Sequence, residues 1–282
     1  MGTSSAYGGP SGAASLLPPW TDLEVPALGV PLAGPPAETP HPEAPAASPP
    51  VIPVITWDKA KAAMTRFASS GGASTTLGRR RLRSAARAYV RAHNGARGAA
   101  QAARHGRATA QRLGAFLGSI VEHGVAATVE RFRLQDFISR RPEDLLAAVL
   151  DIITPPGSEP EAAAARAAGT DTLAELFGIQ EGVEGNTLDA FESLGLDDIR
   201  VVFQKLLANY ICERLVQTLA RKLEGQATAD VIRLEQDIRA FVTGTIELDL
   251  QGVNPLHLDW EGEAGRRFIQ RIYQDGFTLI SL

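Results

Sequence analysis

Proline is concentrated near the start of the chain, where thirteen of the eighteen prolines lie between Pro10 and Pro53. Proline lacks a backbone N–H and fixes its own φ, so this stretch cannot continue a helix or a central strand. The apolar residues between the prolines are too dispersed to form a core. We therefore predict a disordered N-terminal arm over residues 1–55 and a folded body over residues 56–282.

Charge divides the 282-residue chain into three blocks. Residues 1–58 contain five acids and no Lys or Arg, residues 59–112 contain thirteen bases and no acid, and residues 113–282 contain fifteen bases and twenty-seven acids. The formal net charge of −4 conceals this segregation. The body is therefore expected to have a basic part, 59–112, and an acidic part, 113–282.

Apolar residues in the body recur with helical spacing, and Pro, Gly and capping residues mark where the helices begin and end. Ser158 and Glu161 have the spacing of a capping box. Thr228 is expected to cap the helix that follows it. The predicted helices are 58–67, 77–93, 99–123, 142–153, a segment from 158 to 177, 187–194, 197–224, one that begins near 228, and 264–273.

Three further patterns refine this fold. The apolar face of helix 197–224 changes side halfway along, which is typical of a central helix. Gly114 and Gly118 would allow another helix to approach closely. Apolar and polar residues alternate over 246–250 and 256–260, on either side of a Gly-Val-Asn-Pro turn. We therefore expect a mainly α-helical body with a short β-hairpin near the C-terminus.

The sequence does not point to catalytic chemistry. Cys212 is the only cysteine, and the five histidines do not have zinc-ligand spacing. The Gly-rich stretch 71–79 lacks the Gly-Lys-Ser/Thr ending of a phosphate loop. We predict no catalytic residue, no metal and no cofactor. Neither a membrane-spanning run nor a signal peptide is indicated, so a cytoplasmic protein without membrane contact is expected.

One face of the predicted helix 77–93 is rich in arginine. Such a face can bind the phosphates of nucleic acid, contact the acidic part of this chain or an acidic partner, or remain solvated. Aromatic residues are sparse nearby, so the stacking surface of a single-strand binder is missing. The candidate contact residues are Arg79, Arg80, Arg81, Arg83, Arg87 and Arg91.

The first ten residues, MGTSSAYGGP, are small and uncharged. Removal of Met1 would leave the α-amine of Gly2, whose reference pKa of about 7.7 to 8.0 makes it partly neutral near pH 7 and therefore nucleophilic. Glycine also offers the least hindered amine. Myristoylation requires Ser or Thr at position six, where this chain has Ala6.

This opening, the following Leu-Leu-Pro-Pro-Trp at 16–20 and the later helical blocks resemble the QatB family of Qat anti-phage defence systems. The resemblance implies a non-enzymatic protein whose Gly2 amine accepts a 7-deazaguanine from the QueC-like enzyme QatC in an ATP-dependent conjugation. It also implies contact with the ATPase QatA. The alternative is a nucleic-acid-binding or scaffolding protein that acts through residues 79–112. The resemblance implies a recognition motif for QatC formed by Thr3, Ser4, Tyr7, Gly8, Gly9 and Pro10.

Overall fold

The computed structural model describes residues 55–138, 141–176, 194–223, 227–248, 250, 254 and 258–282. The predicted arm therefore lies outside the described residues, apart from Ile55, and so does most of the predicted helix 187–194. All described residues fall within the unit Pro50–Leu282. They form ten helices: α1 (Ile55–Ala68), α2 (Thr76–Ala92), α3 (Ala96–Ala102), α4 (Arg104–Arg131), α5 (Gln135–Ile138), α6 (Pro142–Ile153), α7 (Pro160–Leu176), α8 (Leu196–Leu223), α9 (Thr228–Thr245) and α10 (Glu263–Ile280).

Helices α1 and α2 form a hairpin, and their positions confirm the predicted helices 58–67 and 77–93. Gly71 and Gly72 in the connecting loop have φ values of +76° and +89°, which favour glycine. The Thr75 side chain caps α2 by accepting a hydrogen bond of 3.0 Å from the Gly78 amide. Met64 and Phe67 are fully buried and join α1 to the common core.

The predicted helix 99–123 is wrong in its bounds, because the backbone breaks at Ala103 between α3 and α4 (φ −80°, ψ 56°). Beyond residue 123 the helix kinks at Gly124, where φ is +83°, and then continues to Arg131. Gly124 is therefore the site of a bend within α4.

Helix α8 is central, as its sequence predicts. It contacts α1, α4, α7, α9 and α10. The buried residues change side along its length, from Ile199 and Phe203 in the first half to Leu215 and Leu219 in the second. A helix that buries both sides requires neighbours on both sides, so α8 holds the other helices together.

The C-terminal part departs from prediction in three places. No strand is found among the described residues of 246–260, so the β-hairpin is not observed there. Thr228 is the first residue of α9, preceded by Ala227 as the N-cap, and makes no capping bond. The last helix continues past its predicted end at Tyr273 to Ile280.

Gly114 and Gly118 of α4, predicted to allow the close approach of another helix, instead accommodate an aromatic ring. A Cβ at Gly114 would lie 2.4 Å from the Trp260 indole, and one at Gly118 would lie 3.2 Å from its Nε1. Trp260 also stacks on Phe203 with 4.9 Å between ring centroids. The absence of a Cβ at these two glycines therefore leaves the space in which the Trp260 indole packs against α4. Within the described part of the chain, no helix has the length and apolar character needed to cross a bilayer.

Candidate functional site

Both N-terminal predictions, the acceptor Gly2 and the recognition motif, lie outside the described residues. The motif was predicted at Thr3, Ser4, Tyr7, Gly8, Gly9 and Pro10. The described structure begins with α1 at Ile55.

The six candidate arginines all lie on α2. Arg79, Arg80, Arg83 and Arg91 are exposed, whereas Arg81 and Arg87 are half-buried. The half-buried pair bonds to backbone carbonyls: Arg81 donates to Arg66 at 3.3 Å, and Arg87 donates to Ser281 at 2.9 Å and to Leu282. None of the six forms an ion pair with an Asp or Glu side chain of the described residues. The exposed members thus form a basic surface that the described acidic residues do not neutralise.

The Gly-rich stretch 71–79 is held by protein groups. The Asp237 side chain accepts a hydrogen bond of 2.6 Å from the Ala73 amide, and Thr75 caps the helix that follows. A carboxylate at this loop repels a phosphate. Cys212 is buried, and burial raises the pKa of its thiol to about 12, so it is a poor nucleophile at neutral pH.

A cleft of about 600 Å³ opens where α1 and α2 meet α8 and the first residue of α7. No carboxylate belongs to its lining, as far as the described residues reach. The cleft combines aromatic rings with two cationic side chains and several hydrogen-bonding groups. The lining residues include Trp57, Lys61, Thr65, Tyr89, Arg214 and Gln217.

Arg214 is the fixed cation of this cleft. Its Nη1 donates to Gln217 Oε1 at 2.8 Å, and the Gln217 amide nitrogen donates to the Pro160 carbonyl at 2.7 Å. The guanidinium also interacts electrostatically with the nearby Tyr89 hydroxyl. Burial alone would lower the pKa of Arg214, but the nearby Tyr89, Tyr210 and Glu161 raise it. Arg214 is therefore a half-buried, permanent positive charge.

Three rings pack edge to face beside the cleft. The centroid of Trp57 lies 5.9 Å from that of Tyr89 and 4.8 Å from that of His93, and Tyr89 lies 4.9 Å from His93. Burial, together with the charge of Arg214, lowers the pKa of His93 to about 4. His93 is therefore neutral at physiological pH, and its buried Nε2 has no hydrogen-bond partner among the described residues.

Glu161 lies next to Pro160 in the first turn of α7 and binds four donors from other elements. Its Oε2 accepts from the His105 amide at 2.9 Å and from His105 Nδ1 at 2.7 Å. Its Oε1 accepts from the Gly106 amide at 2.9 Å and from the Tyr210 hydroxyl at 2.8 Å. Burial alone would raise the pKa of Glu161, but these bonds outweigh it and lower the pKa.

This arrangement corrects the predicted capping box. The sequence spacing pairs Glu161 with Ser158 at the head of α7, whereas the carboxylate caps α4, whose own N-cap residue Ala103 has no side chain that can accept a hydrogen bond. Local spacing shows which residues can interact within one turn. It does not show that a distant helix has an uncapped terminus.

Arg214, Tyr89 and Trp57 were not predicted from the sequence as possible site residues. One signal was present: Arg214, Gln217 and Thr218 form a polar strip beside the apolar residues of α8, at spacings of three and four. No sequence pattern indicated the two aromatic residues. Trp57 and Tyr89 each fit the apolar pattern of their own helix, which is typical of ordinary core residues.

The stretch 94–280 matches the family model described as Qat anti-phage system associated protein QatB. No curated protein and no solved structure matches the chain. The matched stretch runs from just before α3 to the last residue of α10, and it contains the Glu161 network and Arg214. Because the match covers about two thirds of the sequence, the chain belongs to the QatB family of the Qat anti-phage system.

Proposed function

We propose that this chain is the protein acceptor of a 7-deazaguanine, joined to the α-amine of Gly2 by the QueC-like enzyme QatC. Two observations support the proposal. The chain belongs to the QatB family, and it begins with Met-Gly followed by a small, uncharged segment that suits entry into another enzyme's active site. The sequence MGTSSAYGGP carries the proposal.

The proposed chemistry is acyl transfer to an amine. In the active site of QatC, the carboxylate of the deazaguanine acid first attacks the α-phosphorus of ATP, which forms an acyl-adenylate and releases pyrophosphate. The neutral Gly2 nitrogen attacks the acyl carbon, a C–N bond forms, the C–O bond to AMP breaks, and the nitrogen loses its extra proton to solvent. QatC supplies the catalytic groups, so the chain acts as a substrate and not as an enzyme. The ATPase QatA is the second expected partner.

The test is coexpression with QatC followed by intact mass and N-terminal peptide analysis. We expect loss of Met1 and an added mass on Gly2 that corresponds to an amide-linked deazaguanine. Gly2→Leu should retain Met1 and abolish the adduct, because a bulky second residue blocks removal of the initiator. Substitutions at Ser4, Tyr7 or Gly9 should reduce modification if QatC reads this segment.

Two controls separate the alternatives. A tag fused before Met1 should abolish the adduct as fully as Gly2→Leu does, because the Gly2 nitrogen is then an amide. An unmodified amine in the presence of QatC, ATP and the deazapurine acid would refute the proposal. An adduct on Lys59 would move the acceptor to a side chain.

A second function, nucleic-acid binding through α2, is favoured by one observation: four arginines of this helix are exposed and lack ion pairs with described carboxylates. The triple substitution of Arg79, Arg80 and Arg83 by Gln should weaken binding and flatten its salt dependence in a gel-shift titration. The matched control replaces the exposed Arg266, Arg267 and Arg271 of α10 by Gln. Equal effects of the two triple variants, or no binding at low salt, would eliminate this function.

A further inference from the structure

The cleft between α1, α2 and α8 contains positive charge that no carboxylate contacts directly among the described residues. Arg214 is half-buried and has no such carboxylate within 4 Å. Glu161 stabilises the charge of Arg214 from a greater distance, and its two oxygens accept four hydrogen bonds from other groups. Lys61 adds a second cation from the opposite helix α1. A partly desolvated cation without a counterion in direct contact favours an anion at that place.

The guanidinium of Arg214 is also fixed in position. Gln217 holds one Nη atom and is itself anchored on the Pro160 carbonyl. An arginine carries five N–H donors, so the bond to Gln217 leaves others for a ligand. A guanidinium held in this way loses little side-chain entropy when it binds an oxyanion, which favours affinity.

Aromatic rings line the same cleft. Tyr89 is buried, and Trp57 is half-buried at the edge where α1 meets the opening. Indole and phenol rings bind flat heterocycles by stacking, as aromatic side chains do with the bases of single-stranded nucleic acids. The volume of about 600 Å³ falls within the range of about 300–1,000 Å³ typical of small-molecule sites.

We propose that this cleft binds a nucleotide, with its base against Trp57 and its phosphate on Arg214 and Lys61. Two cations match the two negative charges of a phosphate monoester, and the rings match the base. A free mononucleotide and the phosphorylated end of a nucleic-acid strand carry the same chemistry. The proposal is independent of the conjugation at Gly2, because none of these residues belongs to the N-terminal motif.

The test uses the full-length protein and titration calorimetry with GMP, AMP, CMP and UMP. Three further probes separate the contributions: guanosine has the ring without the anion, inorganic phosphate has the anion without the ring, and a short oligonucleotide with or without a 5′-phosphate represents a strand end. We expect a monophosphate to bind at least about 10-fold more tightly than either its nucleoside or phosphate alone, since each lost contact removes about 1.4 kcal/mol or more.

The variants are chosen so that folding does not decide the result. Arg214→Gln should weaken binding about 10-fold or more, and Lys61→Gln about 3-fold, as expected for a fixed guanidinium and an exposed ammonium. Lys61 is exposed, so its substitution should leave the thermal unfolding midpoint unchanged. The matched control is Lys59→Gln, which removes an exposed lysine of the same helix outside the cleft and should change affinity less than about 2-fold.

Each outcome decides the proposal. Binding of the 5′-phosphorylated oligonucleotide alone, lost in Arg214→Gln, supports it and identifies a strand end as the source. Absence of binding by all four monophosphates and by the phosphorylated oligonucleotide would overturn it. If inorganic phosphate bound as tightly as GMP, the proposed contact between the base and Trp57 would be wrong. Equal losses in Lys59→Gln and Lys61→Gln would show that affinity follows net charge and not this cleft.

Discussion

The substitution Glu161→Ala removes the carboxylate that joins α7 to α4 and α8. Four donors lose their acceptor: two amides in the first turn of α4, the His105 ring and the Tyr210 hydroxyl. The Glu161 side chain is only 13% exposed, so water cannot readily replace all four bonds. No side chain of Ala103 is available to cap α4 in its place.

The expected loss follows from the separate contributions. Removing the cap from the His105 and Gly106 amides costs about 0.5–2 kcal/mol. Leaving the buried Tyr210 hydroxyl without its acceptor costs about 1–3 kcal/mol. The two contributions share one carboxylate and are not additive, so we expect the free energy of unfolding to fall by about 3 kcal/mol. Tyr210→Phe removes the hydroxyl itself, so no buried donor is left without an acceptor. We expect this substitution to lower the free energy of unfolding by only about 1 kcal/mol.

Urea denaturation followed by circular dichroism gives these values, with the dependence on urea concentration compared between variants. The matched control is Glu159→Ala, whose carboxylate is 62% exposed and lies 3.8 Å from His105 Nε2. That surface pair should contribute no more than about 0.5 kcal/mol. A loss below about 1 kcal/mol for Glu161→Ala, or one equal to that of Glu159→Ala, would refute the cap.

Two further predictions concern the core and the response to acid. Gly114→Ala should destabilise the protein by about 1–3 kcal/mol because its Cβ would overlap the Trp260 indole, whereas Gly244→Ala in α9, with no atom within 4 Å of its Cβ, should be neutral or stabilising in thermal unfolding. Acid should destabilise the fold in two steps. His93 is neutral in the fold with a pKa of about 4, below its usual 6.5, so its contribution is complete above pH 6.5 and decreases as the pH falls towards 4. Glu161 has a lowered pKa, so its contribution is present above about pH 4.5 and is lost as the pH falls further. Urea midpoints measured between pH 7 and pH 3 check this, and His93→Gln should remove the upper step only; an unchanged profile would contradict it.

The order of the helices could be predicted from the sequence because the punctuation is local. Pro142 at the start of α6 and the glycines after α1 act within one turn of the residues they affect. The apolar pattern of α8 also predicted its central position, because an apolar face that changes side along one helix requires packing partners on both sides. These features need no knowledge of the rest of the chain.

The wrong predictions for Glu161 and for the α4 glycines have a common cause. In both cases, a group far away in the sequence determines the contact that the residue makes. Glu161 has capping-box spacing, but the uncapped terminus of α4, fifty-five residues away in sequence, holds its carboxylate. Gly114 and Gly118 have helix-packing spacing, but an indole occupies the space. Sequence spacing predicts that a close approach will occur without identifying the group that makes it.

The same distinction applies to the cleft. Arg214 lies within the stretch that matches the family model, residues 94–280, whereas Trp57, Lys61 and Tyr89 precede it. The fixed cation therefore belongs to the family body, and the rings that would select a base are supplied by the α1–α2 hairpin packed against α8. The half-buried cation Arg214 and the rings thus lie in different parts of the chain, and Lys61 adds its charge from the hairpin. It follows that Trp57→Ala should lower the affinity for GMP towards that of inorganic phosphate, while Arg214→Gln should lower it towards that of guanosine.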